Sequence, residues 1–143
     1  MDSSLPEYDR VGSIAGAFFD VYNYFGYGFA ESVYAGALRQ ELIARGHQIA
    51  REVAVPVRYK DKIVAWQRLD LIVDGAVIVE IKASETLPAY ARRQILNYLR
   101  ATPYEVGLLM HFGPKPHFDR FIDTKPRTHL SHSPSRPNAL TTP

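Results

Sequence analysis

Apolar positions recur at helical spacing from about residue 9 to residue 24, where Val11, Ile14, Phe18 and Val21 fall on one side. Gly26 and Gly28 interrupt the pattern, because two glycines so close weaken a helix and permit left-handed backbone. A second helix is predicted over residues 30 to 44, with Val33, Ala37, Leu38 and Ile43 in phase and Gly46 as its cap. The period then shortens to two. Val53, Val55 and Val57 mark a strand that Pro56 assigns to a sheet edge or an irregularity. A polar reversal at 59 to 62 leads into a longer strand over 63 to 73, and Asp74-Gly75 reverses the chain again into 76 to 83. Residues 87 to 101 return to helical spacing, with Leu87, Tyr90, Ile95 and Leu99 inward and Arg92, Arg93 and Arg100 toward solvent, until Pro103 stops the helix. Residues 106 to 112 (VGLLMHF) read as a buried strand and 118 to 123 as a short edge strand. Three antiparallel strands, a crossover helix and a further strand make an α/β fold with a mixed sheet.

Composition narrows the classes. A chain of 143 residues with 46% hydrophobic content supports one domain with a real core. No run of eighteen apolar residues occurs and the N-terminal decapeptide is polar, so no membrane association and no export signal are expected. The absence of cysteine excludes disulfides and thiolate metal sites and suits a cytoplasmic protein. The net charge of +2 is unevenly spread: residues 114 to 143 carry five Lys/Arg against two Asp, which leaves the preceding 113 residues at about −1. Residues 1 to 9 are expected as a tail, 10 to 124 as the domain, and 125 to 143 as a disordered tail that contains His129 and His132.

Chemistry concentrates in RLDLIVDGAVIVEIKA, residues 68 to 83, where Asp70, Glu80 and Lys82 interrupt apolar strands. Strand alternation places Leu69, Leu71, Val73, Val77, Val79 and Ile81 on one face, and Glu80 with Lys82 on the other. A three-residue loop of Val73, Asp74 and Gly75 with a glycine bulge pairs Ile72 with Ala76 and Asp70 with Ile78, which brings Asp70 onto the face of Glu80 as a diagonal neighbour. Two carboxylates at one sheet end need a cation. Ligation by Asp70, Glu80, water and the Ile81 carbonyl suits Mg²⁺ or Mn²⁺, and Lys82 then assists the attacking water or a phosphate. A cross-hairpin salt bridge is the structural alternative.

The stretch GFAESVY, residues 28 to 34, carries Gly28, Glu31 and Tyr34 in the pattern that names the GxxExxY family, which the chain resembles across about residues 10 to 123. That family is similar to the PD-(D/E)XK nuclease superfamily. The resemblance implies a restriction-endonuclease-like αβββαβ core and metal-dependent cleavage of phosphodiester bonds. On it, Asp70, Glu80 and Lys82 match the superfamily pattern, Gln94 and Tyr98 match the Gln-x-x-x-Tyr element of the exonuclease-like branch, and Glu31 matches the acidic residue from the first core helix. Gln94 would then orient Lys82 or a phosphate, while Tyr34 and Tyr98 support the site. The family commonly has His near the position of Tyr22 and Pro near that of Tyr27, departures that leave the carboxylate pair intact.

The resulting expectation is a Mg²⁺- or Mn²⁺-dependent nuclease acting on nucleic acid, DNA ahead of RNA. The alternative is a non-catalytic module that keeps the fold and binds nucleic acid or protein. The aromatic turn of Tyr22, Tyr24, Phe25, Tyr27 and Phe29 is expected in the core or at a homo-oligomer contact.

Overall fold

The structure, a computed structural model, describes residues 5–126; of the expected tail over 125 to 143, residues 127 to 143, with His129 and His132, lie outside the described residues. Two helices, α1 (Tyr8–Phe25) and α2 (Glu31–Ala44), precede the strands β1 (Ile49–Tyr59), β2 (Lys62–Val73) and β3 (Val77–Lys82). Helix α3 (Ala91–Ala101) crosses over to β4 (Val106–Phe112), and β5 (Pro116–Ile122) closes the series. The sheet runs β1-β2-β3-β4-β5, antiparallel except for the parallel pair β3 and β4. This is the expected α/β architecture with a mixed sheet flanked by helices, the restriction-endonuclease-like arrangement. Pro56 sits in β1, which is an edge strand, so its missing N–H costs no central ladder bond.

Two apolar layers enclose the sheet. Val11, Ile14, Ala17, Phe18 and Val21 of α1 and Tyr34, Leu38 and Leu42 of α2 pack on Leu71, Val73, Val77, Val79 and Ile81. On the other face Tyr98 and Leu99 of α3 join Val53, Val55, Leu69, Ile72, Ile78 and Tyr104. The α1 stripe is the one the spacing predicts. The α2 stripe is met in part: Leu38 is buried and Ala37 packs against the core as expected, but Val33 and Ile43 are exposed, and Tyr34 and Leu42 take their places. Glu31, one helical turn before Tyr34, lies at the head of that same stripe.

Helix α3 starts at Ala91 rather than residue 87. Pro88 disfavours helical backbone at Leu87, and the turn closes only when Ala91 N–H reaches Pro88 O (3.0 Å). Tyr90, expected to face the core, is therefore outside the helix body and exposed. Near the end of the described residues, Lys125 N–H donates to Glu105 Oε2 (2.8 Å), and its ammonium donates to Leu99 O (2.6 Å), so the expected tail is tied down at its first residue.

The β2–β3 register differs from expectation. Leu71 faces Val79, Ile72 faces Ile78 and Val73 faces Val77, so Ile72 does not pair with Ala76 nor Asp70 with Ile78. Asp74 (φ 56°) and Gly75 (φ 61°) both adopt left-handed backbone, Ala76 N–H donates to Val73 O (2.9 Å), and Ala76 becomes the extra residue. The shift is two residues, so side-chain parity is retained and the hairpin register, carried on, sets Asp70 level with Glu80.

Alternation also slips once. Leu69 packs with the α3 layer although Leu71 packs with α1 and α2. The slip occurs level with Glu52, whose φ of 49° is left-handed and where the β1–β2 ladder skips from Arg51↔Leu71 to Val53↔Leu69. Among the described residues no helix is long and apolar enough to cross a membrane.

Candidate active site

The β2–β3 ladder ends at Leu71↔Val79, and from there β2 continues beside β1 alone. Ile81 N–H thereby loses its strand partner. The Asp70 carboxylate replaces it, accepting that N–H through Oδ2 at 2.9 Å. Asp70 is thus fixed to the strand that carries Glu80 and Lys82. The Ile81 side chain points to the opposite face, into the α1/α2 layer.

Glu80 is 4% exposed, which is rare for a glutamate in a strand. Its Oε2 lies 3.6 Å from Lys82 Nζ, an ion pair in a low-dielectric setting, while Oε1 is buried with no hydrogen-bond partner. Desolvation, then the charge of Asp70, push the Glu80 pKa up to about 8 against the pull of Lys82. Burial also raises the Asp70 pKa, opposed by the Ile81 N–H and by Lys82. Lys82 Nζ stands 5.5 Å from the centroid of the Tyr90 ring, so one cation is shared between a carboxylate and an aromatic face.

Helix α3 covers this face with Gln94 and Tyr98, one turn apart. Gln94 Oε1 is buried without a partner, the second orphaned acceptor beside Glu80 Oε1. The Tyr98 hydroxyl is pushed up to about 12, first by burial and then by Glu80 and Asp70, so it remains a donor at neutral pH. A groove of about 450 Å³ opens here, lined by Gln67, Tyr90, Arg93, Gln94, Asn97 and Tyr98 among others.

Glu31 reaches the site from the other layer. Although exposed overall, its carboxyl has a raised pKa, through partial desolvation first and then Asp70, while Lys82 and the Ala83 N–H favour the charge. Glu31 and Glu80 also sense one another. What aims this helix start is Tyr34, fully buried and stacked on Phe112 (4.2 Å between centroids), whose hydroxyl donates to Gly26 O and accepts from Phe29 N–H. Tyr34 therefore ties the Gly26–Phe29 loop to the core and does not itself enter the α3-side groove. Tyr22 is held similarly, its hydroxyl donating to Gly113 O (2.6 Å).

A family profile described as the PD-(D/E)XK nuclease superfamily matches residues 8–121. The chain belongs to that superfamily. The solved crystal structure of SSO0001 resembles this PD-(D/E)XK protein with a TM-score of 0.52 and 20% sequence identity, over 66% of this chain and 50% of that one. The chain thus spans half the length of that protein, and the likeness is one of fold. No curated protein matches the sequence.

PD-(D/E)XK nucleases typically use divalent metals, and the donor set here fits one. It comprises hard oxygen atoms from carboxylates, and the buried Glu80 Oε1 lacks any donor to satisfy it. Among the described residues no group of three or more His, Cys, Asp and Glu is assembled as a ligand cluster, so the carboxylate core is the Asp70–Glu80 pair, with Glu31 coupled to it electrostatically. Three participants were not foreseen from the sequence. Tyr90 lines the groove although helical spacing turns it inward, Arg93 lines it while exposed as expected, and Glu52, which the spacing leaves without a role, raises the Asp70 pKa by its charge. Only the position of Tyr90 just after Pro88 hints at its release from the helix.

Proposed function

We propose that this PD-(D/E)XK protein is a GxxExxY-type nuclease that hydrolyses phosphodiester bonds in nucleic acid, DNA ahead of RNA, with Mg²⁺ or Mn²⁺. The observation that carries this reading is Glu80: a buried carboxylate with one oxygen near Lys82, the other unpartnered, and Asp70 anchored beside it. Such an arrangement is unfavourable in the bare protein and becomes favourable once a cation compensates both charges.

In this reading Asp70 and Glu80 hold the ion with the Ile81 carbonyl, and Glu31 supports it from α2. When bound, a divalent cation lowers the pKa of water and neutralises charge on a phosphate. Lys82 places its ammonium beside the attacking water or a phosphate oxygen and compensates the negative charge that grows there. The Gln94 amide orients that lysine or the phosphate, and the Tyr98 hydroxyl, kept protonated, supplies a donor. The groove carrying Tyr90 and Arg93 offers an aromatic face and a fixed positive charge to a nucleic-acid strand.

The test is purified protein with labelled single- and double-stranded DNA and RNA, with and without Mn²⁺, beside Asp70→Ala and Lys82→Ala. Metal-dependent cleavage lost in both variants is expected. Cleavage that survives both, or association without any cleavage, would replace the enzyme by a binding module on the same fold.

A further inference from the structure

At the other end of β3, about 13 Å from Glu80 at strand rise, three side chains from three separate elements form a chain of hydrogen bonds. Ser13 Oγ of α1 lies 2.8 Å from His47 Nε2, and His47 Nδ1 lies 2.7 Å from Asp74 Oδ2. His47 comes from the α2–β1 connection and Asp74 from the β2–β3 turn. We propose that Ser13, His47 and Asp74 are a second catalytic site, a nucleophilic triad that hydrolyses carboxylic esters with small acyl groups.

The bonding order fixes the proton positions. Asp74 is held ionised: burial opposes its charge, but His47, the Gln48 N–H and Arg10 together outweigh that and lower its pKa. An ionised carboxylate only accepts, so His47 Nδ1 carries the proton, and in the neutral ring Nε2 is left to accept from the Ser13 hydroxyl. This is nucleophile, base and orienting acid in sequence, each within hydrogen-bond reach of the next. Asp74 does not need the imidazole to be held in place, because Gln48 N–H (2.7 Å) and Arg10 Nε (2.9 Å) already fix its carboxylate.

The triad opens on space. Ser13, His47 and Asp74 line a cleft of about 590 Å³ together with Glu7, Asp9 and Arg10. Gly46 lines the same cleft, and a Cβ added there would meet nothing within 4 Å. That room accepts a small ester next to the hydroxyl, with Arg10 held at its edge by its bonds to Asp74 and Glu7.

In the reaction, Ser13 Oγ bonds to the ester carbonyl carbon while its proton passes to His47 Nε2. The carbonyl–alkoxy bond breaks and the leaving oxygen takes that proton. Water then repeats the sequence, releasing the carboxylic acid and restoring the Ser13 hydroxyl.

The experiment uses the full chain with a fluorophosphonate probe, followed by peptide mass spectrometry, and with p-nitrophenyl acetate turnover in parallel. Labelling at Ser13 is expected, unchanged by EDTA or Mn²⁺, with both labelling and turnover falling about 100-fold or more in His47→Gln. Turnover should fall to the level of free imidazole in Ser13→Ala. Asp74→Asn also removes ligands of Arg10 and Gln48 and can unfold the turn, so the decision rests on His47→Gln and Ser13→Ala with native circular dichroism. An unlabelled Ser13, or equal labelling in folded His47→Gln, overturns the triad and leaves these residues as a structural clasp.

Discussion

Glu80 and Lys82 face each other across 3.6 Å while the second Glu80 oxygen stays buried and unpartnered, so a single ammonium serves a carboxylate that has lost nearly all its water. The pair is a strained resting arrangement, and its consequences are measurable without any substrate.

Stability should depend on pH through Glu80. Its pKa is raised from 4.5 to about 8 in the folded chain, so between those values the folded protein keeps a proton that the unfolded chain releases. Stability therefore falls as pH rises through this window and levels off above it. Asp70, also raised, adds to the slope with the same sign. Thermal melts from pH 4.5 to 9 should follow this decline. In Glu80→Gln the decline should flatten, with a gain on the order of 1 kcal/mol or more at pH 8 together with loss of cleavage.

Cation affinity should show the opposite trend. A proton on Glu80 competes with Mn²⁺, so calorimetric affinity is expected to increase with pH up to about 8 and binding to release protons. Asp70→Ala or Glu80→Gln should abolish the heat. An affinity independent of pH, or retained in both variants, would place the ion elsewhere.

Gly107 is where α3 meets the sheet. A Cβ there would stand 3.0 Å from both Cδ1 and Cγ1 of Ile95, tighter than most packed carbon contacts, so Ile95 would have to shift by a few tenths of an ångström. Gly107→Ala should cost about 1–3 kcal/mol in urea denaturation and displace Gln94 and Tyr98 enough to lower cleavage. Adding Ile95→Val should recover part of both losses.

The loop before α2 offers a local test of how Glu31 is aimed. Tyr34→Phe removes the bonds to Gly26 O and Phe29 N–H from a fully buried ring and should cost about 1–3 kcal/mol. Gly28 sits at φ 116°, a region closed to side chains, so Gly28→Ala should cost about 1 kcal/mol or more even though nothing would touch the new methyl. Both variants should lower cleavage more than a stability loss of equal size introduced by Val11→Ala in the α1 stripe.

Periodicity made most of this fold legible. The α1 stripe of Val11, Ile14, Phe18 and Val21 and the buried run of β4 emerge from spacing alone, because α1 has one apolar face to cover and β4, an uninterrupted apolar run, is covered on both. The α2 stripe is legible only at Ala37 and Leu38, because apolar residues occur around most of that helix and only the packed sheet selects Tyr34 and Leu42 over Val33 and Ile43. The hairpin register was misplaced by two residues because Asp74 and Gly75 both accept left-handed backbone, so local turn chemistry does not say which neighbour becomes the extra residue.

By itself the sequence determined the element order, the sheet class and the shared face of Glu80 and Lys82, since these follow from side-chain alternation and apolar spacing within short segments. Tertiary structure decided what those residues experience. The divergence of β2 at Asp70 frees an N–H for its carboxylate, and α3 seals Glu80 from water. The same folding joins Ser13 to His47 and Asp74 across 34 and 27 residues. Burial and long-range hydrogen bonds set the charge state of a carboxylate or an imidazole, and neither is encoded in the spacing of one segment.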